Sequence, residues 1–106
     1  MSPTARSLAR LRELGYRAQK VEQTIPKTFI KQDCFGVDIL ALKPSEPVLV
    51  IQATTGSNHA ARRTKLAADG FITLWKSAGA SLEIWSWAKQ EPRGEKKVWT
   101  LRREAL

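Results

Sequence analysis

Residues 33–54 read DCFGVDILALKPSEPVLVIQAT, and this stretch decides the fold. Two apolar runs, VDILALK and VLVIQAT, are separated by PSEP, whose prolines and serine form turns rather than strand. The two runs therefore predict a hairpin. Each carries a polar interruption, Asp38 in the first and Gln52 in the second. Burying such groups among Val, Ile and Leu is costly unless they are partnered, so metal binding or catalysis would give the interruption a purpose.

Register sharpens this reading. In an antiparallel pair, Asp38 and Gln52 share a face only if paired residue numbers sum to an even value, which sets Leu42 opposite Val48 across a five-residue loop or else requires a bulge. Asp38, Gln52 and Thr54 then lie on one face with Leu40, Leu42, Val48 and Val50. Val37, Ile39, Ala41, Leu49, Ile51 and Ala53 fall on the other. Both faces are largely apolar, which predicts strands covered by helices on each side.

The pattern Val37-Asp38-Ile-Leu-Ala, a turn, then Val-Leu-Val-Ile51-Gln52-Ala53-Thr54 resembles the PD-(D/E)XK nuclease superfamily, most of all its archaeal and phage Holliday-junction-resolvase-like branch. In that family an Asp on one strand and a Glu-x-Lys on the next hold a divalent metal and activate water. Asp38 matches the Asp, Gln52 stands where the acidic residue is expected, and Thr54 stands where the lysine is expected. The resemblance spans about residues 5–90 in element order. It implies an α/β fold with a restriction-endonuclease-like core, Mg²⁺ or Mn²⁺ as cofactor, DNA as substrate, a 5′-phosphate product and a homodimer. It also implies a further acidic ligand from the N-terminal part of the fold, for which Glu22 and then Asp33 are the candidates. A surface carboxylate pairing with Lys20 or Lys27 explains Glu22 or Asp33 equally well.

Charge points the same way. Among 106 residues, 18 Lys and Arg face 10 Asp and Glu, a net charge of +8. Such a balance favours a polyanionic partner, because released counterions give sequence-independent affinity for nucleic acid. A merely solvated basic surface is the plainer explanation. The single cysteine, Cys34, excludes a disulfide framework and a multi-cysteine zinc site and reads as a small packed hydrophobe. No run approaches the roughly 18 apolar residues needed to cross a bilayer, and no signal-peptide pattern opens the chain, so no membrane and a cytoplasmic location are expected. The length suits one domain.

Along the chain, Ser2-Pro3 opens a helix ending near Gly15, with Ala5, Leu8, Leu11 and Leu14 as its buried stripe and Arg10 among its outward cations. Residues 16–22 predict an edge strand. Residues 23–35 lack periodicity and predict an irregular, substrate-contacting loop carrying Lys27 and Lys31, with Gly36 for a tight approach or unusual dihedral. Ser57 or Asn58 caps a helix to about residue 69, with His59, Arg62, Arg63 and Lys65 on its outer, nucleic-acid-facing side. Lys65, or else Arg62, is the candidate to replace the lysine absent at position 54. His59 is a candidate base, although a surface role is the commoner fate of such a histidine. A short helix at 71–78, a strand at 81–87, a turn at 91–97 and a final edge strand complete the order. Of four tryptophans, Trp87 and Trp99 have the polar surroundings expected of base-stacking side chains, and the others read as core.

The chain therefore predicts an α/β domain with a central mixed sheet flanked by helices. Three functions compete: a metal-dependent endonuclease acting on branched or junction DNA, a catalytically inactive DNA-binding module on the same fold, and a basic protein that docks an acidic partner.

Overall fold

The computed structural model describes residues 1–28, 30–90 and 97–106, with the side chain of Lys31 outside the description. The fold is α/β. In chain order it runs α1 (Pro3–Glu13), β1 (Arg17–Lys20), β2 (Gln23–Ile25), β3 (Ile30–Gln32), β4 (Ile39–Leu42), β5 (Leu49–Thr55), α2 (His59–Ala68), α3 (Phe71–Ser77), β6 (Ser81–Gln90) and β7 (Val98–Ala105). Five strands form a mixed sheet in the order β1-β4-β5-β6-β7, in which only β5 and β6 run parallel. Parallel neighbours need a crossover, and α2 and α3 supply it.

The central hairpin has the register expected from its polar positions. Ile39 pairs with Ile51, Leu40 with Val50 and Ala41 with Leu49, which is the alignment that sets Leu42 against Val48. One face, with Ile39, Ala41, Leu49, Ile51, Ala53 and Trp85, packs on Leu11 and Leu8 of α1. The other, with Val50 and Leu82, packs on Ile72 and Trp75 of α3. Helices cover both faces, as the two-sided apolar pattern requires.

Val37 departs from the expected alternation, because it joins the Val50–Leu82 cluster rather than the face of Ile39. The cause is the tight turn before β4, where Cys34 and Val37 bridge each other and Phe35 and Gly36 both have positive φ, 50° and 83°. The strand alternation begins only at Ile39. Gly36 satisfies both expectations at once, since a Cβ there would also lie 2.5 Å from Leu66 and 2.7 Å from Phe71.

α1 begins as read, with the Ser2 hydroxyl accepting from the Ala5 N–H at 3.1 Å and Gly15 following at φ 92°. Its buried stripe is different. Ser7 and Leu11 are fully enclosed, whereas Leu14 is 40% exposed. Ser7 is tolerated inside because it donates to the Pro3 carbonyl at 2.8 Å and accepts from Trp87 Nε1 at 2.9 Å. That contact also places Trp87 in the core, correcting its reading as a stacking residue.

The irregular loop expected at 23–35 contains a two-stranded ribbon, with Gln23 opposite Gln32 and Ile25 opposite Ile30. Its described strand side chains, Gln23, Thr24, Ile25, Ile30 and Gln32, are all exposed, so it left no amphipathic alternation to detect. Lys27, with φ 68°, sits in its turn. Neither Ser57 nor Asn58 caps α2 with its side chain; a 3-10 turn, Gly56–Asn58, leads into the helix instead. The turn expected at 91–97 lies, save Lys97, outside the described residues. No helix of the described residues is long and apolar enough to cross a membrane.

Candidate functional site

Asp38 immediately precedes β4, its N–H donating to the Ile51 carbonyl at 2.8 Å, and Gln52 lies beside it in the middle of β5. Both are buried. Gln52 Nε2 donates to Asp38 Oδ2 at 3.0 Å, and the Ala53 N–H donates to the same oxygen at 2.9 Å. Two donors on one oxygen would ordinarily hold a carboxylate ionised. Here the opposing influences win. Burial above all, then the charge and hydrogen bond of Glu22 and the charge of Asp33, push the Asp38 carboxyl up to about 7. Asp38 therefore keeps its proton up to near neutrality, with the Glu22 carboxyl in hydrogen bond to it and Asp33 in the same region.

These groups line an open cleft of about 430 Å³ at one end of the sheet. Lys20 from β1, Arg62 from α2 and the first turns of α1 enclose it with Glu22, Asp33, Asp38 and Gln52. Lys65 lines instead a smaller adjoining pocket of about 60 Å³, shared with Asp33, Gln52 and Arg62. Of the two cations considered as substitutes for the lysine absent at position 54, Arg62 is thus the one beside Asp38. Thr54 is buried one strand from Ser86, on the face beneath α2, and lines neither pocket. Lys20 was not a candidate from the sequence. The signal was available, because a charge two residues before Glu22 on a strand shares its face.

The remaining candidates separate. His59 is 1% exposed, which corrects its reading as a surface base or nucleic-acid contact. Its Nδ1 lies 2.6 Å from Ser86 Oγ and its Nε2 2.7 Å from Glu104 Oε1. Arg63 gives Nε and Nη2 to the same Glu104 oxygen, at 2.9 and 2.8 Å, so its guanidinium is committed to an internal pair rather than turned outward. The Arg63 and His59 contacts hold the Glu104 carboxyl below the usual range. Arg10 lies 3.4 Å from Glu13 and 5.5 Å over the Trp87 ring. Lys27 is exposed in the ribbon turn, away from the cleft lining, and the Lys31 side chain lies outside the described residues.

Among the described residues, no three His, Cys, Asp or Glu side chains are gathered closely enough to hold a metal ion by themselves. What the cleft offers is a carboxyl pair, Asp38 and Glu22, with the Gln52 amide beside it. This donor set fits Mg²⁺, an oxygen-seeking cation commonly held by one or two carboxylates and completed by water and substrate phosphates. It lacks the histidine and cysteine ligands around which zinc sites are usually built. The raised Asp38 carboxyl has the same meaning: two acids in contact repel when both ionise, and a cation relieves that repulsion. No protein-family model, no curated protein and no solved structure matches this chain.

Proposed function

We propose that this protein is a metal-dependent endonuclease that hydrolyses phosphodiester bonds in DNA, with branched or junction DNA as its expected substrate. The observation that carries the reading is buried Asp38 in hydrogen bond with half-buried Glu22 beside Gln52, in a cleft lined by Lys20 and Arg62, on a chain of net charge +8. A strongly perturbed carboxyl with a charged partner in a cleft marks a candidate for a working site. The order of elements also favours a restriction-endonuclease-like core: a leading helix, three antiparallel strands, then a helical crossover to a parallel neighbour.

Asp38 and Glu22 would hold Mg²⁺ or Mn²⁺, with the Gln52 side-chain oxygen as a neutral contributor. When bound, such an ion polarises the scissile phosphate and lowers the pKa of an attacking water. The chain's own residues supply the rest. Arg62 and Lys20 offset the charge that develops on the phosphate oxygens. The Ala53 N–H and the Gln52 amide fix the Asp38 carboxylate in one orientation. As pH rises through 7 Asp38 loses its proton, so cation binding and turnover should both increase across that range.

The test is cleavage of junction, nicked and plain duplex DNA with Mg²⁺ or Mn²⁺. Asp38→Ala should lower the rate at least about 1,000-fold while leaving DNA binding intact or tighter. One observation favours the inactive DNA-binding module: Gln52 donates its N–H to Asp38 rather than offering oxygen to a cation. Absence of cleavage on every substrate, together with absence of any metal-induced rise in melting temperature, would establish that second reading. Binding to an acidic protein would instead persist where nucleic-acid affinity falls steeply with salt.

A further inference from the structure

On the side of α1 away from the candidate cleft, the β6–β7 pair presents a second constellation. Lys89 pairs with Trp99 and Trp87 with Leu101, so Trp87, Lys89 and Trp99 share the face on which α1 lies. The two indoles differ in environment. Trp87 is 5% exposed and hydrogen-bonded to Ser7, whereas Trp99 is 41% exposed. Cations converge on the open ring: the Arg6 guanidinium carbon lies 4.0 Å from its centroid and Lys89 Nζ 5.4 Å. Arg10 stands one turn further along α1, over Trp87.

We propose that Trp99, Arg6 and Lys89 form a subsite for an unpaired DNA strand. An exposed indole offers an apolar face to a base, and guanidinium and ammonium groups beside it meet the flanking phosphates; this is the combination by which proteins hold single strands without sequence preference. A duplex is the poorer occupant, because its bases already stack on each other and leave Trp99 no partner. Arg6 lies within the same first turns of α1 that wall the cleft through Thr4, Ala5 and Leu8, so a frayed or branched arm bound at Trp99 would reach across one helix to the carboxyl pair. The inference rests on the nuclease reading for that path, not for the binding itself.

The experiment uses Asp38→Asn protein, so that DNA stays intact, and the anisotropy of a labelled oligothymidylate of about 12 nucleotides. Adding Trp99→Leu should weaken single-strand binding about tenfold and change duplex binding by less than about twofold. Trp99→Phe, which keeps a ring, should restore affinity to within about threefold. Arg6→Gln should flatten the salt dependence by about one phosphate contact. Quenching of tryptophan emission by the oligomer should vanish with Trp99→Leu. Unchanged single-strand affinity in Trp99→Leu overturns the proposal. So does equal loss in the leucine and phenylalanine variants with a lowered melting temperature, which would make the Arg6–Trp99 stack an internal clamp. If cleavage by the wild-type chain depends on Asp38 yet Trp99 proves silent, only the subsite falls; if no substrate is cut but Trp99 governs single-strand binding, only the enzyme reading does.

Discussion

Two clusters of charge are built against the sheet, and they are opposites. Around His59 every group has a complement: Ser86 and Glu104 take the two ring nitrogens, and Arg63 closes on Glu104. Around Asp38 acids gather, with Glu22 in hydrogen bond and Asp33 near, in a cleft that Lys20 and Arg62 also line. A balanced cluster stabilises the fold and has nothing left to offer a ligand. A buried carboxyl that keeps its proton into the neutral range costs stability once ionised and retains the capacity to bind a counter-charge. The difference explains why an imidazole in hydrogen-bond reach of a serine and a glutamate is structural here, and why a plainer pair of carboxyls is the better candidate for chemistry.

The comparison breaks first on activity. Asp38→Asn should abolish cleavage, by three or more orders of magnitude, while melting temperature at pH 8 rises rather than falls. The amide is uncharged and still accepts from Ala53 and Gln52, and its N–H can donate to Glu22. A lower melting temperature at pH 8 would show that the carboxyl pair is not under strain.

The next effect belongs to the balanced cluster. Glu104→Ala should cost about 3 kcal/mol at neutral pH, because His59 and Arg63 lose their shared acceptor. A melting temperature more than about 10 °C lower is expected, and a shift under 3 °C would place Glu104 outside the network that holds α2 against β7.

Opposite pH slopes sharpen the contrast. Asp38 titrates near 7 when folded and near 3.8 when unfolded, so between those values the native state retains a proton that the unfolded chain has released. Stability from this group is therefore lost as pH rises from about 4 to 7, by at most on the order of 4 kcal/mol. Glu104 is held below its ordinary value, so its contribution is present above about pH 4.5 and lost as pH falls through the lowered pKa. Denaturant midpoints measured from pH 3 to 8 should show both limbs, and Asp38→Asn should remove only the upper one.

The smallest effect is the counter-charge itself. Millimolar Mg²⁺ at pH 8 should raise the melting temperature of the wild-type chain by a few degrees and leave Asp38→Asn unmoved, since a ligand of the native state stabilises according to its saturation. Equal shifts in both proteins would place the cation elsewhere.

These clusters also show what a chain reveals before it folds. The hairpin of β4 and β5 was legible because polar residues in apolar strands admit one register, and that register brought Asp38 to Gln52. Gly36 was legible because the turn demands a positive φ. The His59 network was not, since Ser86 and Glu104 lie 27 and 45 residues away and no local pattern marks a partner at that range. Leu14 and Ser7 exchanged their expected places for the same reason: Trp87, 80 residues distant, decides that a hydroxyl is welcome inside. The ribbon at 23–32 was hidden by the reverse condition, because strands open on both sides carry no contrast between inward and outward residues.

That bond between Ser7 and Trp87 bears on how the molecule is made. A chain leaving the ribosome completes α1 long before β6 exists, so Leu11 can pack on β4 and β5 while Ser7 still waits for its buried partner. Only when Trp87 has emerged can the indole reach back and complete the burial of the first helix. Variants truncated before Trp87 should therefore be held by chaperones or lost to aggregation rather than persist as smaller folded units.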